Sequence, residues 1–191
     1  MECMIEIENL SLTMKKQIIL SDINLTFEKG KIHGLIGRNG SGKTMLMKCI
    51  LGFIRPSQGT IWVDHKRIGK EVDFPPHTGV IIETPGFIPH YSGYKNLKVL
   101  AELNGKIDRG QIFHTMELVG LNPNLRRSVK KYSLGMRQRL GIAQAIMEEP
   151  NLLVLDEPFI GLVAEGDLQM RKLLLEKKAL GTTILLSSHN A

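Results

Sequence analysis

Aromatic residues are scarce in this chain, with one Trp, three Tyr and six Phe among 191 residues. Basic residues outnumber acidic ones, for a net charge of +6. The densest basic clusters, Lys15-Lys16, Arg126-Arg127 and Lys130-Lys131, have few aromatics between them. The stacking platforms of a single-strand nucleic-acid site are therefore missing, so these clusters read as solvated surface and no nucleic-acid partner is expected. Only two cysteines occur, Cys3 and Cys49. They are too few and too far apart for a disulfide framework or a metal knuckle, and reduced thiols are the plain reading. No apolar run approaches the about 20 residues that span a bilayer. The start, Met1-Glu2-Cys3-Met4-Ile5-Glu6, lacks a signal peptide's basic region. These absences predict a chain in the cytosol, or one held at a membrane by another protein. Internal repeats and low-complexity segments are also lacking. What remains, 42% apolar and 23% charged residues, suits one ordinary globular domain over 1–191.

Glycine, by contrast, is concentrated where it matters. Gly37-Arg38-Asn39-Gly40-Ser41-Gly42-Lys43-Thr44 fits G-x-x-x-x-G-K-(S/T), a loop whose backbone N–H groups wrap nucleotide phosphates. A side chain in place of these glycines would block the backbone's approach to the phosphate oxygens. Lys43 would reach the β- and γ-phosphates, and the Thr44 hydroxyl would ligate Mg²⁺. Lys31–Ile36 reads as a strand entering the loop, and Met45–Leu51 as a helix leaving it, stopped by Gly52 and Pro56. Free amides and the dipole at that helix start favour an anion.

The N-terminal thirty residues alternate as strands: Met4–Glu8, Ile18–Leu20 and Ile23–Phe27, with Gly59–Asp64 as another strand of the same antiparallel lobe. Val80–Ile82, Leu152–Leu155 and Thr182–Leu186 are instead continuously apolar, which predicts strands of a parallel sheet buried on both faces. Helical stretches between them, Arg137–Glu148 and Leu168–Leu180, complete an α/β alternation. Residues 86–131 interrupt it with apolar spacing typical of helices (Leu97, Leu100; Ile112, Met116, Val119) and stops at Gly105 and Gly120. With the helix that follows, they predict a helical subdomain over approximately 86–149.

Leu152–Leu155 leads straight into Asp156-Glu157-Pro158. Two acids at the C-terminal end of a parallel strand stand where open sheets bind ligands. Alone, such a strand could equally enter a plain turn. Beside a phosphate loop, Asp156 can support the Mg²⁺ shell and Glu157 can orient or deprotonate an attacking water.

At this point the chain resembles the ATP-binding subunit of ABC transporters. The phosphate loop and Leu155-Asp156-Glu157-Pro158 match that family, and Tyr132-Ser133-Leu134-Gly135-Met136-Arg137-Gln138-Arg139-Leu140 is similar to its signature segment. His189, in Leu186-Ser187-Ser188-His189, is similar to its switch histidine. Glu83 lies 40 residues beyond Lys43, and His189 lies 32 beyond Glu157, both in keeping with the family's spacing. The likeness runs over essentially the whole chain. Glu83-Thr84-Pro85-Gly86-Phe87 and the Ser-Leu-Gly-Met-Arg-Gln signature look most like the drug- and bacteriocin-resistance exporter branch.

The resemblance implies a P-loop NTPase fold in the ABC arrangement, an α/β core with a mainly parallel sheet, an N-terminal antiparallel β lobe and a small helical insert. It implies ATP and Mg²⁺ as cofactors, hydrolysis involving Glu157 and His189, and Glu83 at the metal with Thr44 and Asp156. It also implies a head-to-tail homodimer in which Ser133 and Gly135 of one copy meet the γ-phosphate held by the other. A transmembrane permease subunit would be the partner, with the chain cytoplasmic and peripheral on the inner face of the membrane. Ser133 also suits a helix N-cap, which is compatible with that role. A lone histidine at a strand end is as a rule structural or merely exposed, so the role of His189 rests on the resemblance.

Four departures stand out. Glu83 replaces the family's usual glutamine, and Val163 in Gly161-Leu162-Val163-Ala164 replaces its aspartate. Met14 sits near where an aromatic stacks on adenine. The sequence also stops at Ala191, two residues past His189, where relatives continue. The chain therefore reads as truncated at its C-terminus, with the last strand expected to lack cover, His189 to be poorly ordered and turnover to be weak. Alternatives of other classes are a soluble ABC-type ATPase acting on nucleic acid or ribosomes, and a non-hydrolysing ATP-binding regulator. A P-loop kinase is argued against by the signature segment.

Overall fold

Alternating apolar residues at the N-terminus build a four-stranded antiparallel sheet. In the computed structural model, which describes residues 2–105 and 107–189, it contains β1 (Cys3–Met14), β2 (Gln17–Glu28), β4 (Gln58–Val63) and β5 (Lys66–Arg67), in the order β2-β1-β4-β5. The two runs Ile18–Leu20 and Ile23–Phe27, expected as separate strands, are one strand, β2. The break between them is a bulge: Asp22 takes a left-handed φ of 47°, and its N–H donates to Ser11 Oγ at 3.0 Å. A serine side chain thus supplies the acceptor that the ladder loses at the irregularity.

The second sheet is parallel throughout: β3 (Ile32–Ile36), β8 (Thr183–Ser188), β7 (Leu152–Leu155) and β6 (Thr78–Ile81), in the order β3-β8-β7-β6. Its strands divide their side chains between two cores with the two-residue period of a pleat. Leu153, Leu155 and Ile184 join the core that α2 (Gly93–Asn104), α3 (Arg109–Leu118), α4 (Leu134–Ile146) and α5 (Ala164–Ala179) cover. Leu152, Val154 and Leu185 join the core of α1 (Lys43–Ile50) and the antiparallel sheet. Continuous apolar sequence is the consequence, because both faces of the sheet need it.

β8 corrects one expectation. As the last apolar run it was expected to lack cover, yet it is interior, paired with β3 on one side and β7 on the other. Thr183, Ile184, Leu185 and Ser187 are essentially inaccessible. The strand order inserts the last strand of the sequence beside the first of the sheet, and sequence position alone does not reveal that. The strands at the edges of this sheet are β3 and β6, and Ile36 of β3 is 62% exposed.

Local chemistry starts and stops the helices. Ser92, Asp108 and Ser133 cap α2, α3 and α4 by accepting from Lys95, Gln111 and Met136 N–H at 3.2, 2.8 and 3.1 Å. Gly105 ends α2 in the left-handed conformation. Cys49 is on the buried face of α1, and burial pushes its thiol up to about 11, so it is inert packing rather than a nucleophile.

Candidate active site

The C-terminal edge of the parallel sheet collects the acids and the phosphate loop. Gly37 N–H donates to Ser188 O at 3.3 Å, which ties the loop's first residue to the end of β8. Ser41 N–H donates to Arg38 O, closing a turn, and Gly42 enters α1 with φ 93°, a conformation that favours glycine. Asn39, Gly40, Ser41, Gly42, Lys43 and Thr44 then line a cavity of about 410 Å³ with Glu83, Asp156 and Glu157. Gly37 and Arg38 act from behind it. Their carbonyls accept from Lys43 Nζ at 2.5 and 3.1 Å. Ile19 of β2 and Met45 of α1 supply the apolar part of the lining, and Met14 is not among the lining residues.

One hydrogen-bonded chain runs through the acids. Thr44 Oγ1 donates to Asp156 Oδ2 at 2.7 Å, and Ser187 Oγ donates to Asp156 Oδ1 at 2.6 Å. Asp156 is only 5% exposed, and hydroxyls supply these side-chain bonds. Ser187 Oγ also accepts from Glu157 N–H at 2.8 Å. His189 Nδ1, the donor to a carboxylate, lies 2.9 Å from Glu157 Oε2. Just past β6, the strand next to β7, Glu83 Oε1 is 2.7 Å from Lys48 Nζ. Glu83 and Glu157 both have left-handed backbones, at φ 59° and 49°. Such conformations cost roughly 1–3 kcal/mol each and collect at functional sites. Here they fall at the ends of neighbouring strands, just past Ile81 and Leu155.

Mg²⁺ prefers hard oxygen ligands, and the Thr44 hydroxyl beside the buried Asp156 carboxylate, with Glu83 at the same cavity, is a donor set of that kind. A buried carboxylate held by hydroxyls leaves negative charge for a cation to balance. The residues present therefore fit this metal. ATP fits the neighbouring loop, whose amides, lysine and helix start favour phosphate.

Ser133 and Gly135 stand apart from this cavity. Ser133 caps α4, and a Cβ built on Gly135 would lie 2.8 Å from Gly161 O, so α4 begins against the turn that precedes α5. Leu134, Ile160 and Val163 leave this region apolar and open, Val163 at 73% exposure. The two halves of the motif set are nevertheless linked. Gln138, 2% exposed in α4, donates from Nε2 to Pro158 O at 3.0 Å and to Glu157 O at 3.4 Å. Sequence reasoning did not single out Gln138, Ser187 or Lys48 for these contacts. A polar residue inside an apolar strand, as Ser187 is, was the one available signal.

Comparison with known proteins gives the same answer. Residues 20–160 match the model of the ABC transporter family. The chain is 42% identical to the uncharacterized ABC transporter ATP-binding protein YybJ of Bacillus subtilis, over 98% of its own length and 86% of the relative's. It is 45% identical to the bacitracin transport ATP-binding protein BcrA of Enterococcus faecalis, over 99% of its length but 62% of that protein's. It thus spans a little under two thirds of the bacitracin relative. A solved ATP-binding subunit of an ABC transporter superposes with a TM-score of 0.85 at 29% identity, covering 98% of this chain and 80% of that one. This chain belongs to the ABC transporter family and carries its ATP-hydrolysing cassette.

Proposed function

We propose that this chain binds Mg-ATP between the phosphate loop and the acids of the sheet edge, hydrolyses it, and drives export of a drug, peptide or bacteriocin through a separate membrane-spanning subunit. The observation that carries the reading is the unbroken chain Thr44–Asp156–Ser187–Glu157–His189, whose members Thr44, Asp156 and Glu157 line the phosphate-loop cavity. Lys43 and the loop amides bind the phosphates. Thr44, Asp156 and Glu83 hold Mg²⁺, which when bound offsets charge on the β- and γ-phosphates. Glu157 orients and deprotonates the attacking water, and His189 positions Glu157 through their hydrogen bond.

The start of α4 supports a head-to-tail pair. Ser133 stands at a helix N-terminus, where free amides favour negative charge, and lies outside its own chain's cavity. The exposed Leu134, Ile160 and Val163 around it would be covered by a second copy. Among the described residues no helix is long and apolar enough to cross a membrane, so transport needs a partner that is. The exposed, stacked rings of Phe53 and Phe74, 5.7 Å apart and near Glu83's segment, supply an apolar surface for such a partner on the membrane's inner face. The name of the bacitracin relative supports a peptide-like cargo. The testing experiment is ATP turnover of the purified chain, alone and reconstituted with the membrane subunit. Stimulation by that subunit supports the reading; nucleotide binding without turnover in either state would point to a regulator instead.

A further inference from the structure

Lys48 lies one turn beyond Thr44 on α1, so the two side chains share a helix face. Its ammonium meets Glu83 Oε1 at 2.7 Å, but the partners are unequally placed. The Lys48 side chain is 19% exposed and sits on a packed helix, whereas that of Glu83 is 63% exposed on a left-handed residue just past β6. Glu83 also borders the cavity of Thr44, Asp156 and Glu157. One carboxylate therefore faces two positions, the ammonium and the cavity. The other charged groups there are engaged elsewhere: Lys43 with carbonyls, Asp156 with hydroxyls and Glu157 with His189. A neutral glutamine at 83 could not form this ion pair, so the arrangement is a consequence of Glu83 itself.

We propose that Lys48 is a positioning residue that holds the Glu83 carboxylate aside, and that Glu83 changes partner when a divalent cation enters with the nucleotide. The inference rests on the reading that Thr44, Asp156 and Glu83 face that cation. Glu83 is the mobile member, being exposed, and Lys48 the fixed one. Handing the carboxylate over leaves a mostly covered ammonium without its partner, a cost that opposes cation binding. Lys48 therefore weakens the apparent affinity for the cation, and removing it strengthens that affinity.

The test is a Mg²⁺ titration of ATP binding to the full chain, followed by calorimetry or a fluorescent ATP analogue, with thermal melts of each variant. Lys48→Met should lower the half-saturating Mg²⁺ roughly two- to five-fold, the range an exposed ion pair can supply. Lys48→Arg should behave as the unsubstituted chain. Glu83→Gln removes both the ion pair and a carboxylate that would face the cation, so it serves as the background for the double variant. In the Glu83→Gln background, Lys48→Met should have no further effect on the Mg²⁺ requirement. An unchanged or raised Mg²⁺ requirement in Lys48→Met, with or without a lower melting temperature, would show a mere tether and overturn the proposal. So would a shift that persists undiminished with Glu83→Gln, since the charge of Lys48 would then act without Glu83. Absence of Mg²⁺-dependent ATP binding in the unsubstituted chain would overturn the reading of the site itself, and this inference with it.

Discussion

The sheet edge and the start of α4 carry the two halves of the motif set, and they are held in opposite ways. At the sheet edge the catalytic side chains are fixed by residues distant in sequence: Thr44 by Asp156, Asp156 by Ser187 and Glu157 by His189. At the start of α4, Ser133 accepts from its own helix at Met136 N–H, and its surroundings are exposed apolar residues. A side chain held from across the fold is set before any ligand arrives, at no further cost in ordering. An open apolar rim gains its packing only when another surface covers it. The first half is finished within one chain. The second is arranged as one side of a contact.

The largest effect should come from the finished half. Lys43→Ala removes the one loop ammonium that lines the cavity, where it donates to the carbonyls of Gly37 and Arg38. ATP affinity should fall at least about 100-fold, the loss of two charge-assisted bonds, with the melting temperature nearly unchanged. Calorimetric titration checks the first and a thermal melt the second. Nucleotide affinity equal to that of the unsubstituted chain would remove the phosphate loop from the site.

Glu157→Gln separates binding from chemistry within the same half. The amide retains a hydrogen-bonding group for His189 but cannot take a proton, so turnover should drop roughly 10²–10⁴-fold while ATP still binds. An ATP-bound pair of chains should accumulate, visible by light scattering. Unimpaired turnover would take the proton-accepting role away from Glu157.

Smaller changes at the open half sharpen the contrast, because there stability and turnover should move without affinity. Ser133→Ala loses the α4 cap and should cost about 1 kcal/mol. Gly135→Ala places a Cβ against Gly161 O at 2.8 Å, and α4 must shift to accept it, at a cost of roughly 1–3 kcal/mol. Both variants should keep the one-chain ATP affinity and lose turnover. A loss of affinity at low protein concentration would mean that the two halves are not separate.

How much of this was legible beforehand follows the same division. The phosphate loop and Asp156-Glu157 are local words in the sequence, spelled by glycine spacing and by acids at a strand end, so they could be read directly. The division of Leu152–Leu155 between two cores was legible too, as an unbroken apolar run. The partners of those residues were not. Ser187, Gln138 and Lys48 reach their contacts through strand order and helix packing, and neither leaves a trace in nearby residues. The same blindness made β8 look uncovered, since periodicity reports that a strand is buried but not which strands flank it.

The smallest expected effect tests whether the open half carries a cost in stability. Val163 occupies the N-cap of α5 with φ −75° and ψ 161°, the backbone of a good cap, yet it has no oxygen to accept the helix's free N–H groups. At 73% exposure its methyls gain little from burial. Val163→Asp should supply that acceptor and a charge favourable to the helix dipole, although Glu165 and Asp167 in the same turn will repel it. The net gain should be about 0.5–1.5 kcal/mol, or a rise of roughly 1–5 °C in melting temperature for a chain of this size. Val163→Asn keeps the acceptor without the charge and should give most of the same rise. If both variants melt with or below the unsubstituted chain, α5 does not need a cap and the valine carries no stability cost. If both melt higher while turnover falls, the apolar side chain is kept for what it meets outside its own chain.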